Sequence, residues 1–250
     1  MSVHSIPGTV ALVTGANRGI GRAIAEALLE RGAAKVYAAA RRVSTLEDLA
    51  RRYGARVVPL ALDVTDAGQV AKAAGEAKDV DLVVNNAGVV AGAPGTQLID
   101  AALLEAARTE LEVNYLGTLR VIQAFAPILA ARGGGTVVNI ASVASLANFP
   151  PFPTYSASKA ALHSLTQAAR ALLAGQGTKV LGVYPGPVDT DMAEPIQVEK
   201  ASPRDVAHAI LDGIERGTEE IFPDPMAASF GSQYLAGPKE LERQVAAFGS

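Results

Sequence analysis

The chain has 250 residues, with 22 Lys plus Arg against 25 Asp plus Glu for a net charge of −3, so it lacks the basic excess of a protein built to hold nucleic acid. It contains no cysteine, which excludes disulfide scaffolds, thiol nucleophiles and cysteine-ligated metal centres and fits a cytoplasmic location. A composition of 49% hydrophobic and 19% charged residues over this length suits one large packed domain spanning residues 1–250 better than two small ones.

Met1 to Pro7 has neither the basic patch nor the apolar core of a signal peptide, and no apolar run approaches the roughly 18 residues of a membrane span. From there, hydrophobic runs of strand length alternate with alanine-rich stretches of helical spacing. Thr9 to Val13 precedes a helix over Ile20 to Arg31, and Lys35 to Ala40 precedes one over Thr45 to Tyr53. Arg56 to Leu62 leads to Asp66 to Ala77, and Asp81 to Val84 to a helical interval from Leu98 to Ala131. That interval is too long for one average helix and predicts a short helix followed by a long one. Thr136 to Ile140 precedes Tyr155 to Leu173, Lys179 to Val183 precedes Pro203 to Arg216, and Glu219 to Phe222 is the last strand. Such alternation predicts an α/β fold, a doubly wound Rossmann-type domain whose seven-stranded parallel sheet is covered on both faces. Two irregular stretches, Ala147 to Pro153 and Pro185 to Ser202, follow strands at their carboxyl ends. Ligands bind along that edge of an open parallel sheet, so the two stretches are expected to wall a substrate site, with a substrate loop at about 185–202.

The first strand runs directly into Thr14-Gly15-Ala16-Asn17-Arg18-Gly19-Ile20-Gly21 and then a helix. Glycines at such a turn let the backbone approach a phosphate, which the helix amino terminus then holds. The spacing is neither G-x-G-x-x-G nor a P-loop. It resembles the cofactor loop of short-chain dehydrogenases/reductases, and Asn85-Asn86-Ala87-Gly88 after the fourth strand resembles that family's second signature. The resemblance runs from about Thr9 to the last strand. It implies the strand order 3-2-1-4-5-6-7, a nicotinamide cofactor and hydride transfer at a carbon bearing oxygen.

Tyr155 and Lys159, four residues apart, share one face of a helix about 6 Å apart along its axis. A phenol near its free pKa of about 10 is a poor base at neutral pH, and a neighbouring ammonium favours the phenolate, so the pair is expected to lower the Tyr155 pKa. Ser142, just past the fifth strand, is placed to hydrogen-bond a substrate oxygen and stabilise charge developing there. Asn114 lies within a predicted helix, where propensity does not favour it. The resemblance implies a catalytic set of Asn114, Ser142, Tyr155 and Lys159, in which Asn114 holds a relay water and Tyr155 and Lys159 also contact the cofactor, Lys159 at the nicotinamide ribose. It further implies cofactor contacts from Gly15, Asn17, Arg18, Gly19, Ile20 and Gly21, from Asp63 and Val64 beside the adenine, from Asn86, Ala87 and Gly88, and from Pro185, Gly186, Val188 and Thr190 beside the nicotinamide.

An NAD enzyme is expected to place an acid at the end of the second strand to bind the ribose 2′-hydroxyl. This chain reads Ala38-Ala39-Ala40-Arg41-Arg42 there. By resemblance Arg18 and Arg41 form a 2′-phosphate clamp for NADP(H), and Arg42 is solvated. No metal site is expected: His163 has no second ligand near it in sequence and is read as a packed or hydrogen-bonded residue. The Gly-x-Ser-x-Gly elbow of a serine hydrolase is missing. Phe149, Pro150, Pro151 and Phe152, with Met192, Ala193, Pro195 and Ile196, predict an apolar substrate pocket.

The expectation is an NADP(H)-dependent carbonyl reductase or alcohol dehydrogenase acting on a small molecule, with Tyr155 as general acid/base. A 3-oxoacyl-carrier-protein reductase shares all these motifs, and a catalytically silent NADP-binding sensor is the alternative from another class. By family analogy the chain forms a homo-oligomer, a tetramer or dimer, with alanines of the Tyr155 helix such as Ala161, Ala168 and Ala169 giving a smooth packing face.

Overall fold

Strand β1 (Val10–Thr14) is an interior strand of the sheet, with buried side chains on both faces, as a strand between two helical layers requires. In the computed structural model, which describes residues 5–96 and 98–247, it pairs in parallel with β2 (Lys35–Ala40) on one side and β4 (Leu82–Asn85) on the other. The first four residues of the amino-terminal stretch read above lie outside the described residues. With β3 (Val57–Ala61), β5 (Gly135–Ile140), β6 (Thr178–Val183) and β7 (Glu220–Ile221), the sheet has the order β3-β2-β1-β4-β5-β6-β7, all parallel. The fold class and strand order expected from the sequence are both present.

Successive side chains of β1 point to opposite faces. Ala11 and Val13 join Ile24 and Leu28 of α1 (Gly19–Glu30) and Ile210 and Ile214 of α7 (Pro203–Arg216) in one layer. Leu12 enters the other, with Val70 of α3 (Ala67–Glu76) and Val121, Phe125 and Leu129 of α5 (Thr118–Ala131). The short α2 (Glu47–Tyr53) contributes Leu49 to the first layer, and α6 (Pro153–Leu173) contributes Ala169 to the second.

Three differences from the predicted elements have physical causes. The interval from Leu98 to Ala131 holds α4 (Ala101–Glu110) and α5 joined by a π-helical segment, Leu111–Gly117, so the helices run on through a widened turn. The last strand shortens to two residues at the sheet edge. Beyond it lie two helices that hydrophobic periodicity did not reveal, α8 (Pro225–Ala236) and α9 (Pro238–Ala246). Their apolar residues Phe230, Leu241 and Val245 pack with Leu146, Leu162 and the fully buried Tyr184 in a third cluster over the β5–β6 edge. A start signal for α8 was present as Asp224-Pro225: Asp224 accepts a bond from the Ala227 amide at 2.8 Å and Pro225 occupies the first helical turn.

Candidate active site

The glycine loop and the Asn86 segment build each other at the carboxyl edge of the sheet. Gly15 and Gly19 take φ of +65° and +55°, values that side chains rarely adopt. A Cβ on Gly21 would lie 2.3 Å from Asn86 Nδ2 and 2.4 Å from the Gly15 carbonyl oxygen. The Asn86 amide side chain donates to the Thr14 carbonyl at 2.9 Å and the Gly15 carbonyl at 3.3 Å. The backbone amides of Asn86 and Ala87 donate to Thr14 Oγ1, both at 3.0 Å. Asn85 points into the sheet instead, where it donates to Asn139, which in turn donates to Thr166 of α6. Asn86 therefore fixes the loop, and its neighbour staples two strands and a helix.

Helix α1 begins without a side-chain cap and with no acid in its first turn. Asp66, Ser202 and Asp224 cap α3, α7 and α8, while α4, α6 and α9 share the uncapped start of α1, so it is the glycine turn before α1 that sets it apart. An uncapped helix amino terminus behind a glycine turn suits a phosphate, because its free amides and the positive dipole end need a negative partner. The residues present thus fit a dinucleotide. Asn17 and Ile20 are half-buried along the same turn.

Arg18 is exposed and its guanidinium pairs with Asp191 at 2.5 Å. A Cβ on Gly19 would come within 3.1 Å of Thr190 Cγ2, so the loop after β6 rests on the glycine turn. Arg41 is exposed immediately after β2, and so is Arg42. Asp63 accepts from the amide and hydroxyl of Thr65, so its side chain is committed to a local turn. The Val64 side chain is buried, and its Cγ2 would be 2.6 Å from a Cβ on Gly117, which leaves its backbone as the part able to face a ligand.

Tyr155, Lys159 and Ser142 come together beside this edge. The Lys159 ammonium donates to the Ile140 carbonyl at 2.8 Å and lies 5.8 Å from the centroid of the Tyr155 ring. A Cβ on Gly88 would be 3.5 Å from it. Ser142 leaves β5 in extended conformation, its Oγ accepting from the Ala144 amide at 3.1 Å. The expected lowering of the Tyr155 pKa by Lys159 is corrected here. Burial pushes the phenol up to about 12, a hydrogen bond with Ser142 works against that rise, and Glu110 adds to it. Burial likewise pulls Lys159 down to about 8. Each group gives up water and the lysine donates its bond to a carbonyl, so burial disfavours the charged form of both.

Asn114 is fully buried in the π-helical segment. Its side chain accepts from the Val89 amide at 2.8 Å and donates to the Val89 carbonyl at 3.0 Å and to Ser158 Oγ at 2.9 Å. All of its polar side-chain atoms are engaged by protein, so the side chain ties the segment after β4 to α6. A widened helical turn, which frees backbone groups, is a frequent mark of a functional position, and this explains an asparagine that helix propensity did not.

After β6, Pro185 accepts a bond from the Val143 amide, and the Gly186 amide donates to Asp224 at 2.8 Å. Asp224 thus ties this turn to the start of α8, a role the sequence reading did not assign. Val188 is buried and bridges Ala201, and Thr190 Oγ1 donates to the Val188 carbonyl. Of the apolar wall residues, Phe149 stacks on Phe230 with centroids 5.7 Å apart, Ala193 is buried and Met192 is exposed. His163 bonds Tyr184 through Nδ1 at 2.7 Å and Gln167 through Nε2, as the packed reading expected.

Residues 9–201 match the family model described as short chain dehydrogenase. An uncharacterized oxidoreductase of Staphylococcus saprophyticus is 34% identical over 218 residues, covering 83% of this chain and 91% of its own. Among solved structures, a short chain dehydrogenase from Burkholderia cenocepacia in complex with NADP is 41% identical with a TM-score of 0.89, covering 97% of this chain and 99% of that one. A short chain dehydrogenase/reductase from Burkholderia phymatum in complex with NAD is 28% identical, with a TM-score of 0.82 and 96% of each chain covered. With the sheet order, the glycine turn and the tyrosine–lysine helix already in place, the chain belongs to the short-chain dehydrogenase/reductase family of oxidoreductases.

Proposed function

We propose that the protein is an NADP(H)-dependent reductase of small ketones and aldehydes, acting in reverse on secondary alcohols. The observation that carries the reading is the convergence of the Tyr155 phenol, the Ser142 hydroxyl and the Lys159 ammonium at the carboxyl edge of the sheet. A phenol so positioned suits proton donation to a carbonyl oxygen. NADPH, when bound, supplies the hydride. Ser142 donates a hydrogen bond to the same oxygen, and Tyr155 delivers the proton. Lys159, its pKa pulled down to about 8 by burial, holds an ammonium 5.8 Å from the ring centroid, where it favours the phenolate left by that transfer, and the phenolate regains its proton from solvent.

The choice of NADPH rests on charge. No acid stands at the end of β2, where Arg41 is exposed with no ion pair among the described residues, and Arg18 is held only by an exposed aspartate. A 2′-phosphate gains charge-assisted bonds from both, each contributing about 1.5–3 kcal/mol. The relative from Burkholderia cenocepacia, described with NADP, supports the same choice.

A free small molecule fits the site better than a substrate on an acidic carrier protein. Within residues 185–202 the exposed acids Asp189, Asp191, Glu194 and Glu199 outnumber the one base Lys200, although Arg18 pairs with Asp191, a net acidic wall that repels acidic partners. The test is a panel of ketones, keto esters and charged keto acids, each read by loss of reduced-nicotinamide absorbance. Aryl and medium-chain ketones are expected to outperform charged keto acids by about tenfold or more in kcat/KM, since burial of a few methylenes is worth 1–3 kcal/mol. Turnover confined to charged keto acids would reject the apolar pocket, and NADPH binding without turnover of any substrate would leave a silent binding protein.

A further inference from the structure

Arg18 closes the glycine turn at the amino end of α1, its backbone extended. Its guanidinium is engaged from far along the chain: Nη1 donates to Asp191 Oδ2 at 2.5 Å, and the side chain makes no other bond among the described residues. Asp191 opens a short turn, Asp191–Ala193, in the loop after β6. The base of that loop is pinned, because the Asp189 amide donates to the Ala201 carbonyl at 2.9 Å and the Ala201 amide to the Pro187 carbonyl at 3.0 Å. Thr190 lies against the glycine turn, with Cγ2 3.1 Å from where a Cβ on Gly19 would stand. Backbone contacts on both sides thus deliver the carboxylate to Arg18.

The two arginines of the clamp differ in this respect. Arg41 has no ion pair among the described residues, whereas Arg18 already carries a counter-charge from the substrate loop. A carboxylate and a phosphate compete for one guanidinium, since two anions drawn to the same cation repel each other. The side chains of the pair are 63% and 71% exposed, and a pair so exposed is weak beside a charge-assisted bond to phosphate. Asp191 therefore yields Arg18 to a phosphate, at a modest cost in affinity. We propose that Asp191 is a specificity-determining residue for the cofactor: it competes with the 2′-phosphate for Arg18 and so narrows the preference for NADP(H) over NAD(H). This inference rests on the NADP(H) reading above. A ribose 2′-hydroxyl carries no charge, so the competition falls on the phosphorylated cofactor alone.

The test is calorimetric binding of NADP+ and NAD+, which differ only in the 2′-phosphate and require no turnover. Asp191→Asn is expected to tighten NADP+ about threefold or more, within the range of an exposed pair, and to leave NAD+ nearly unchanged. Glu194→Gln removes the same charge from an exposed position three residues on, with no ion pair among the described residues, and is expected to leave the ratio of the two affinities nearly unchanged. In an Arg18→Ala background the gain from Asp191→Asn is expected to vanish, because coupled residues are not additive.

An Asp191→Asn ratio equal to or below that of the wild type overturns the inference. So does an equal gain from Glu194→Gln, or a gain that persists without Arg18, since either would mark general repulsion by the loop. A wild-type protein that binds the two dinucleotides alike fails the NADP(H) reading. The inference then stands only if Asp191→Asn brings out a preference for NADP+, and falls otherwise.

Discussion

Tyr155→Phe is expected to lower kcat for ketone reduction by at least about a hundredfold while leaving NADPH affinity within about twofold. Removing a positioned acid has that usual scale. The phenyl ring keeps the half-buried packing of the first helical turn, and Lys159 keeps its bond to the Ile140 carbonyl, so the loss is confined to the missing hydroxyl. The comparison to make is single-turnover reduction against cofactor binding followed by nicotinamide fluorescence. Near-normal reduction by the phenylalanine variant would remove Tyr155 from the chemistry and with it the role of the Lys159 ammonium beside it.

Gly21→Ala is expected to cost cofactor affinity about a hundredfold and to lower the melting temperature by several degrees. The added methyl group would stand 2.3 Å from the Asn86 amide nitrogen and 2.4 Å from the Gly15 carbonyl oxygen, far inside contact distance. The far side of the clash is backbone, and Asn86 is held by bonds to Thr14 and Gly15, so relief requires the glycine turn to move. Overpacking of a tight site costs typically 1–3 kcal/mol, and here the displaced atoms are the ones that would face the phosphates. Nicotinamide fluorescence titration and thermal unfolding read the two effects separately. An alanine variant that binds NADPH as the wild type does would show that the close packing of this turn is not what shapes the phosphate site.

The sheet and most of the helices could be read from sequence because each apolar run is bounded by turn residues and each helix carries a face of small or apolar side chains, as in Ile24, Leu28 and Leu29 of α1. The strand order came from the resemblance alone, since periodicity carries no information about which strands are neighbours. Helices α8 and α9 were missed because glycine and polar residues interrupt α8 and because α9 buries only Leu241 and Val245, too few for a clear stripe. In the site, the resemblance pointed to Ser142, Tyr155 and Lys159, which lie together in the structure, but it carried nothing of their electrostatics. The mutual burial that raises the phenol and weakens the ammonium depends on side chains distant in sequence. Glu110 and Asn114 stand four apart, a spacing that places both on one helix face. The segment whose amides they bond, Val89–Gly92, is visible only once the chain after β4 is seen lying against that face.

The most direct measurement of the central claim is the kcat/KM of the wild-type enzyme for NADPH and for NADH, with one aryl ketone at saturation, alongside the same pair for Arg41→Ala. The proposed clamp predicts a preference for NADPH of at least about tenfold, one charge-assisted bond's worth. It also predicts that Arg41→Ala loses most of that preference through a higher KM for NADPH, with NADH nearly unaffected. A wild-type enzyme that works better with NADH, or an Arg41→Ala variant that weakens both cofactors equally, would contradict the account.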